Sequence, residues 1–143
     1  MYVLDTNILV AALWSRSGAS YELVRRAVTG ALPVAASVAL SLEYEAVLKR
    51  AAIREASWAS SAELDALLDG FLAVAKRIMP VRTRLRPTLR DADDDMVLEC
   101  AVQAGASAIV TMNRRDFVPA TTLYRIEILA PGELLTRLIE GER

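Results

Sequence analysis

The residues of this chain whose placement suggests chemistry are acids: Asp5, Glu43, the run Asp91-Ala92-Asp93-Asp94-Asp95, and Asp116. No histidine occurs among the 143 residues. That excludes a Ser-His-Asp triad, an imidazole acid–base pair and a His-based zinc site. The single cysteine, Cys100, lies among Leu98, Ala101 and Val102 and reads as a small buried thiol, and one cysteine allows no disulfide within the chain. Catalysis would therefore draw on carboxylates, Lys, Tyr or Ser, with a hard metal ion.

Local pattern gives each acid two readings. Asp5 ends the β-prone run Tyr2, Val3, Leu4 and precedes a helical stretch from Ile8 to Trp14, so it is either a helix N-cap or a group presented at a strand end. Glu43 has Ala39, Leu40, Ala46 and Val47 at helical spacing and should face the core side. A buried carboxylate costs several kcal/mol unless it is partnered, so an arginine or a cation is expected beside it. Glu45 pairs in spacing with Ser41 and Lys49 and reads as the solvated neighbour. Asp94 precedes Val97, Leu98 and Ala101 on one helical stripe and should face the sheet, with Asp95 on the flank, Asp93 as a cap and Asp91 reaching in from the loop. Asp116 stands before Phe117, whose ring would anchor the loop; the alternative is a plain turn residue.

Four inward carboxylates on one rim, Asp5, Glu43, Asp94 and Asp116, repel one another and need compensating positive charge. Oxygen donors without His or Cys favour Mg²⁺ or Mn²⁺ over zinc. Such a cation activates a water and stabilises charge on a phosphate and its leaving oxygen, and a pair of ions would sit roughly 4 Å apart.

The elements that must position these acids alternate. Strands are expected at Tyr2–Leu4, Pro33–Ser37, Ala108–Thr111 and Ile126–Leu129, with an edge strand around Val81 and Leu85. Helices are expected from Ile8 to Trp14, from Tyr21 to a stop at Gly30, from Val38 to Ala52, from Ser61 to Ile78 with closure at Pro80, from Met96 to Ala104 before Gly105, and from Pro131 onward. That alternation predicts an α/β fold: a three-layer α/β/α sandwich with a central parallel sheet of about five strands. Ligands of such sheets bind beyond the carboxyl ends of the strands, where Asp5, Thr6 and Asn7 follow the first strand and Thr111, Asn113 and Asp116 follow the third.

Composition is that of a folded globule: 54% hydrophobic, 24% charged, six glycines and five prolines. The length suits a single domain over 1–143. A net charge of −1 leaves any attraction to nucleic acid to a local patch, and Arg82, Arg84, Arg86 and Arg90 form the basic concentration. They would grip a phosphate backbone or form a solvated loop. Asp5 and Asn7 interrupt the apolar start, no basic leader precedes it, and no run reaches the roughly 18 apolar residues of a membrane span. The cytoplasm is the expected compartment.

Taken together, Val3-Leu4-Asp5-Thr6-Asn7, the Glu43-Tyr44-Glu45-Ala46-Val47-Leu48 helix, the Asp91–Asp95 approach and Val110-Thr111-Met112-Asn113-Arg114-Arg115-Asp116-Phe117 resemble PIN domains, and more narrowly the VapC-type toxins of toxin–antitoxin pairs. The resemblance implies a PIN-like α/β/α fold, dependence on Mg²⁺ or Mn²⁺, and endonucleolytic cleavage of RNA. It assigns the metal-binding acids to Asp5, Glu43, Asp94 and Asp116, with Thr6, Asn7, Thr111 and Asn113 in support. Asn113 stands where many family members carry Asp, which leaves Asp116 as the fourth acid. The family also implies a small antitoxin protein that inserts a segment into the active site, and homodimers. Two rivals remain: a catalytically weak PIN-like scaffold, and a Mg²⁺-dependent phosphatase or phosphotransferase of another α/β fold. Against the latter, the first strand lacks a second Asp two residues after Asp5, and no Gly-rich phosphate loop is present.

Overall fold

Short apolar runs alternate with longer helical ones, and the fold follows that alternation. A computed structural model describes residues 1–78, 89 and 92–142. In chain order the elements are β1 (Tyr2–Leu4), α1 (Thr6–Trp14), α2 (Ala19–Val28), β2 (Ala35–Ser37), α3 (Val38–Leu48), α4 (Ala51–Ala56), α5 (Ser61–Val74), β3 (Lys76–Ile78), α6 (Ala92–Ala104), β4 (Ala108–Val110), a 3₁₀ turn (Arg114–Phe117), α7 (Val118–Tyr124), β5 (Glu127–Leu129) and α8 (Pro131–Gly141).

Among the described residues every strand pairing is parallel. β4 lies between β1 and β5, with Leu4 opposite Val110 and Val110 opposite Leu129. The continuous sheet is thus smaller than the expected five strands: among the described residues it has three, while β2 and β3 form a separate ladder that meets β1 at the bridge Tyr2–Val34. Val3, Leu4, Ala108, Ile109 and Val110 are all buried, as continuous apolar runs are when helices cover both faces of a parallel sheet. α6 packs against β1, β2, β3 and β4, and α2 packs against α1, α5 and α8. The architecture is the mixed α/β one expected.

Several helix ends follow their sequence signals. Ser60 caps α5 reciprocally: its hydroxyl accepts from the Glu63 amide at 3.1 Å while the Glu63 carboxylate accepts from the Ser60 amide at 3.2 Å. Gly30 and Gly105 close α2 and α6 with φ of +83° and +65°, backbone that side chains disfavour.

Three elements depart from expectation. The helix expected from Val38 to Ala52 breaks after Leu48, where the buried stripe Leu40, Tyr44, Val47, Leu48 ends; none of the α4 residues that follow is buried. The long helix expected to reach Ile78 stops at Val74, and Lys76–Ile78 pairs with β2 instead. Backbone pairing to an open strand edge, begun by the Lys76 amide donating to Val34 O at 2.8 Å, outweighs three more helical residues. The chain also makes a 3₁₀ turn and α7 where no element was expected. Pro80 and the edge strand around Val81 and Leu85 lie outside the described residues. Among the described residues no helix is long and apolar enough to cross a membrane.

Candidate active site

The chain leaves β1 toward β2 on one side and returns as β4 on the other. That reversal of direction marks the carboxyl ends of β1 and β4 as the place where parallel sheets bind ligands. Asp5 and Thr111 are the first residues past the two strands. Asp5 is 8% exposed and Thr111 fully buried. The Thr111 hydroxyl donates to Asp5 Oδ2 at 2.7 Å and accepts from the Asn113 amide at 3.0 Å. In return Asn7 Oδ1 accepts from the Met112 amide at 3.2 Å, so each strand end braces the other.

Asp5 occupies the N-cap position of α1 yet makes no side-chain capping hydrogen bond. Burial holds its carboxyl above the usual carboxylate range; the Thr111 hydroxyl, the Thr6 backbone and Asn7 pull it back, and the negative charge of Asp116 pushes it further up. Asp116 sits in the 3₁₀ turn, exposed, and is set there by the fully buried Phe117 ring and by its own amide donating to Asn113 O at 3.1 Å. The expected anchoring by Phe117 is present. Thr6 and Asn7 are half-buried at the start of α1, and Asn113 is exposed.

Glu43 is half-buried on α3, immediately before Tyr44, whose buried hydroxyl donates to the Leu4 carbonyl and so seats α3 beside the end of β1. Glu45 behaves as the solvated neighbour, paired with Lys49 at 2.6 Å. Asp94 is half-buried on α6. Asp95, expected on the flank, is instead 2% exposed, and its Oδ1 accepts from the Leu89 amide at 2.9 Å. The physical reason is that α6 is buried all round: Val97, Leu98, Glu99, Cys100 and Ala101 are all inside, so an apolar stripe does not single out one face. Glu99, four residues after Asp95 and 7% exposed, went unnoticed for the same reason. The signal that could have found it is the i, i+4 spacing of two acids on a helix with no polar side. Cys100 is fully buried, as expected, and burial raises its thiol to about 11, with Ser37 contacts opposing.

Asp91, Arg82, Arg84, Arg86 and Arg90 lie outside the described residues, as does the side chain of Asp93. Among the described residues no three acids or cysteines stand close enough to hold a metal ion together. What the structure does bring together is Asp5 and Asp116, two oxygen donors on one rim whose repulsion a hard cation would relieve.

A family model for the PIN domain matches residues 1–115. The chain belongs to the PIN-domain family. No curated protein matches it. PIN domains have a nuclease-type fold, are generally nucleases and typically use divalent metals. In this PIN domain the matched stretch carries Asp5, Glu43, Asp94 and Thr111, while Asp116 falls one residue beyond it. The fold continues past the match, since β5 completes the ladder begun by β1 and β4.

Proposed function

We propose that this PIN domain is a Mg²⁺- or Mn²⁺-dependent endoribonuclease formed by one unit over residues 1–143, the cytoplasmic toxin of a type II toxin–antitoxin pair. The observation that carries the reading is Asp5: a buried carboxylate at the paired carboxyl ends of β1 and β4, held by Thr111 and repelled by Asp116. A folded protein keeps such a destabilised charge chiefly where a ligand compensates it.

Glu43 on α3 and Asp94 on α6 would complete the cation site with Asp5 and Asp116. When bound, the ion supplies charge stabilisation for a phosphodiester under attack by water. Thr111 fixes the Asp5 carboxylate, Asn7 ties the Met112 amide to the first strand, and Asn113 and Thr6 support that rim. Arg82, Arg84, Arg86 and Arg90 would grip the RNA backbone, with Asp91 near the acids. A small antitoxin and a second copy of the chain are the proposed protein partners.

The dispersed acids favour one second reading, a catalytically weak PIN-like scaffold. Incubating purified protein with RNA and with DNA, with and without EDTA, and analysing the cut ends tests the first reading. Cleavage of RNA that EDTA abolishes is expected, and Asp94→Asn should remove it while the circular dichroism stays that of the wild type. Equal cleavage by Asp94→Asn and wild type would sink the mechanism. Absence of Mn²⁺ binding to the wild-type protein would favour the scaffold.

A further inference from the structure

β1 and β2 touch at one bridge, where the Tyr2 amide donates to Pro33 O at 2.9 Å, and beyond it they belong to separate ladders. Backbone groups of alternate strand residues face the same neighbour, so Leu4 presents its carbonyl on the side of Tyr2, toward β2. There the carbonyl accepts a hydrogen bond from the hydroxyl of Tyr44 on α3. A buried carbonyl left without a donor is costly, and this side chain supplies what the parted strand does not.

The same peptide unit is held from its other side, because the Asp5 amide donates to Val110 O at 2.9 Å. The Leu4–Asp5 peptide is thus gripped by α3 through Tyr44 and by β4 through Val110, directly before the Asp5 carboxylate. Tyr44 itself is fully buried, and its ring meets Phe71 edge-on at 5.7 Å and 82°.

We propose that Tyr44 is a positioning residue of the site: its hydroxyl holds the Leu4–Asp5 peptide and so sets the Asp5 carboxylate on the rim in register with the helix that carries Glu43. The consequence for Asp5 stands on the geometry alone. The consequence for cation affinity rests on the metal-dependent reading above.

The test compares Tyr44→Phe with Phe71→Leu in the full chain. Phe71→Leu loosens the same packing but leaves the hydroxyl. Amide hydrogen exchange by NMR, read as the ratio of Asp5 to Ile109, and Mn²⁺ affinity by electron paramagnetic resonance are the two readouts. Tyr44→Phe should raise the exchange ratio about tenfold and weaken Mn²⁺ about tenfold, the lower end for lost support around metal ligands. Phe71→Leu should lower the melting temperature and leave both readouts at wild-type values. An unchanged exchange ratio in folded Tyr44→Phe overturns the proposal, as does an equal rise in Phe71→Leu. Should the wild type bind no Mn²⁺, the metal reading fails and the exchange ratio alone decides the role of Tyr44. Whether or not the variant folds, the wild-type chain should show a slowly exchanging Tyr44 hydroxyl proton, and its absence would also overturn the proposal.

Discussion

Replacing Thr111 by valine isolates the contact on which the site is built. Valine keeps the branched shape at a fully buried position and removes only the hydroxyl. Two hydrogen bonds go with it: the 2.7 Å donation to Asp5 and the 3.0 Å acceptance from the Asn113 amide. A hydrogen bond to a charged group is worth about 1.5–3 kcal/mol, and the second, at the rim where water can replace it, adds little. A loss of about 2 kcal/mol is expected, which for a chain of this size lowers the melting temperature by roughly 6–10 °C. Asp5→Asn alone should leave the metal-free protein as stable as wild type or more so at pH 7, because it removes a charge that burial disfavours. The sign with pH follows from the raised carboxyl. The folded state binds the Asp5 proton more readily than the unfolded chain, so the cost of the charge is present above the folded pKa and disappears as pH falls below the unfolded value. The advantage of Asp5→Asn should shrink accordingly on acidification. Urea denaturation of the two single variants and the double variant completes a cycle, with a coupling of about 1 kcal/mol expected between positions 5 and 111. Additive effects would refute the idea that Thr111 acts through the Asp5 charge.

Two further outcomes concern the frame. Glu22 is lowered from 4.5 to about 2, chiefly by its hydrogen bond to Arg25, with Arg26 adding; Arg26 also reaches Glu142 just beyond α8. A lowered acid contributes stability above its unfolded value and loses it as pH falls through about 2, so Glu22→Gln should cost about 1 kcal/mol near pH 7, after discounting for solvent, and nothing near pH 2. Thermal melts across that range check it. Ser60→Ala removes the hydroxyl half of the α5 capping box, leaving the Glu63 carboxylate on the amide of residue 60, and should destabilise by about 1 kcal/mol in urea, with cleavage activity unaltered.

Much of the sheet could be read from sequence because β1 and β4 are continuous apolar runs whose ends are marked by Asp5 and Thr111. β3 could not, since Lys76–Ile78 is three residues long and its identity depends on an edge of β2 that sequence does not display. α7 begins with Val118 and Pro119 and continues through two threonines, residues with weak helical preference, so tertiary packing decides it. The acids divide along the same line. Asp5 sits at a strand end and Asp116 in the turn that follows one, so both could be picked out by position, whereas burial on every side through the middle of α6 erases the periodicity that would have ranked Asp94, Asp95 and Glu99. The contact between Thr111 and Asp5 spans 106 positions, and local spacing carries no trace of it.

The placement of these groups explains why a carboxylate can remain buried at Asp5. Its backbone is fixed on both sides, by Val110 and, through the preceding carbonyl, by Tyr44, and its side chain is fixed by Thr111. None of these partners carries a positive charge. They orient the carboxylate and offset part of its desolvation, and among the described residues no cation stands with them to balance its charge beside Asp116. An arginine in that place would have given a closed structural ion pair. Neutral donors around a disfavoured charge at the paired carboxyl ends of β1 and β4 suit a cation from solution, as the proposed metal-dependent reading requires.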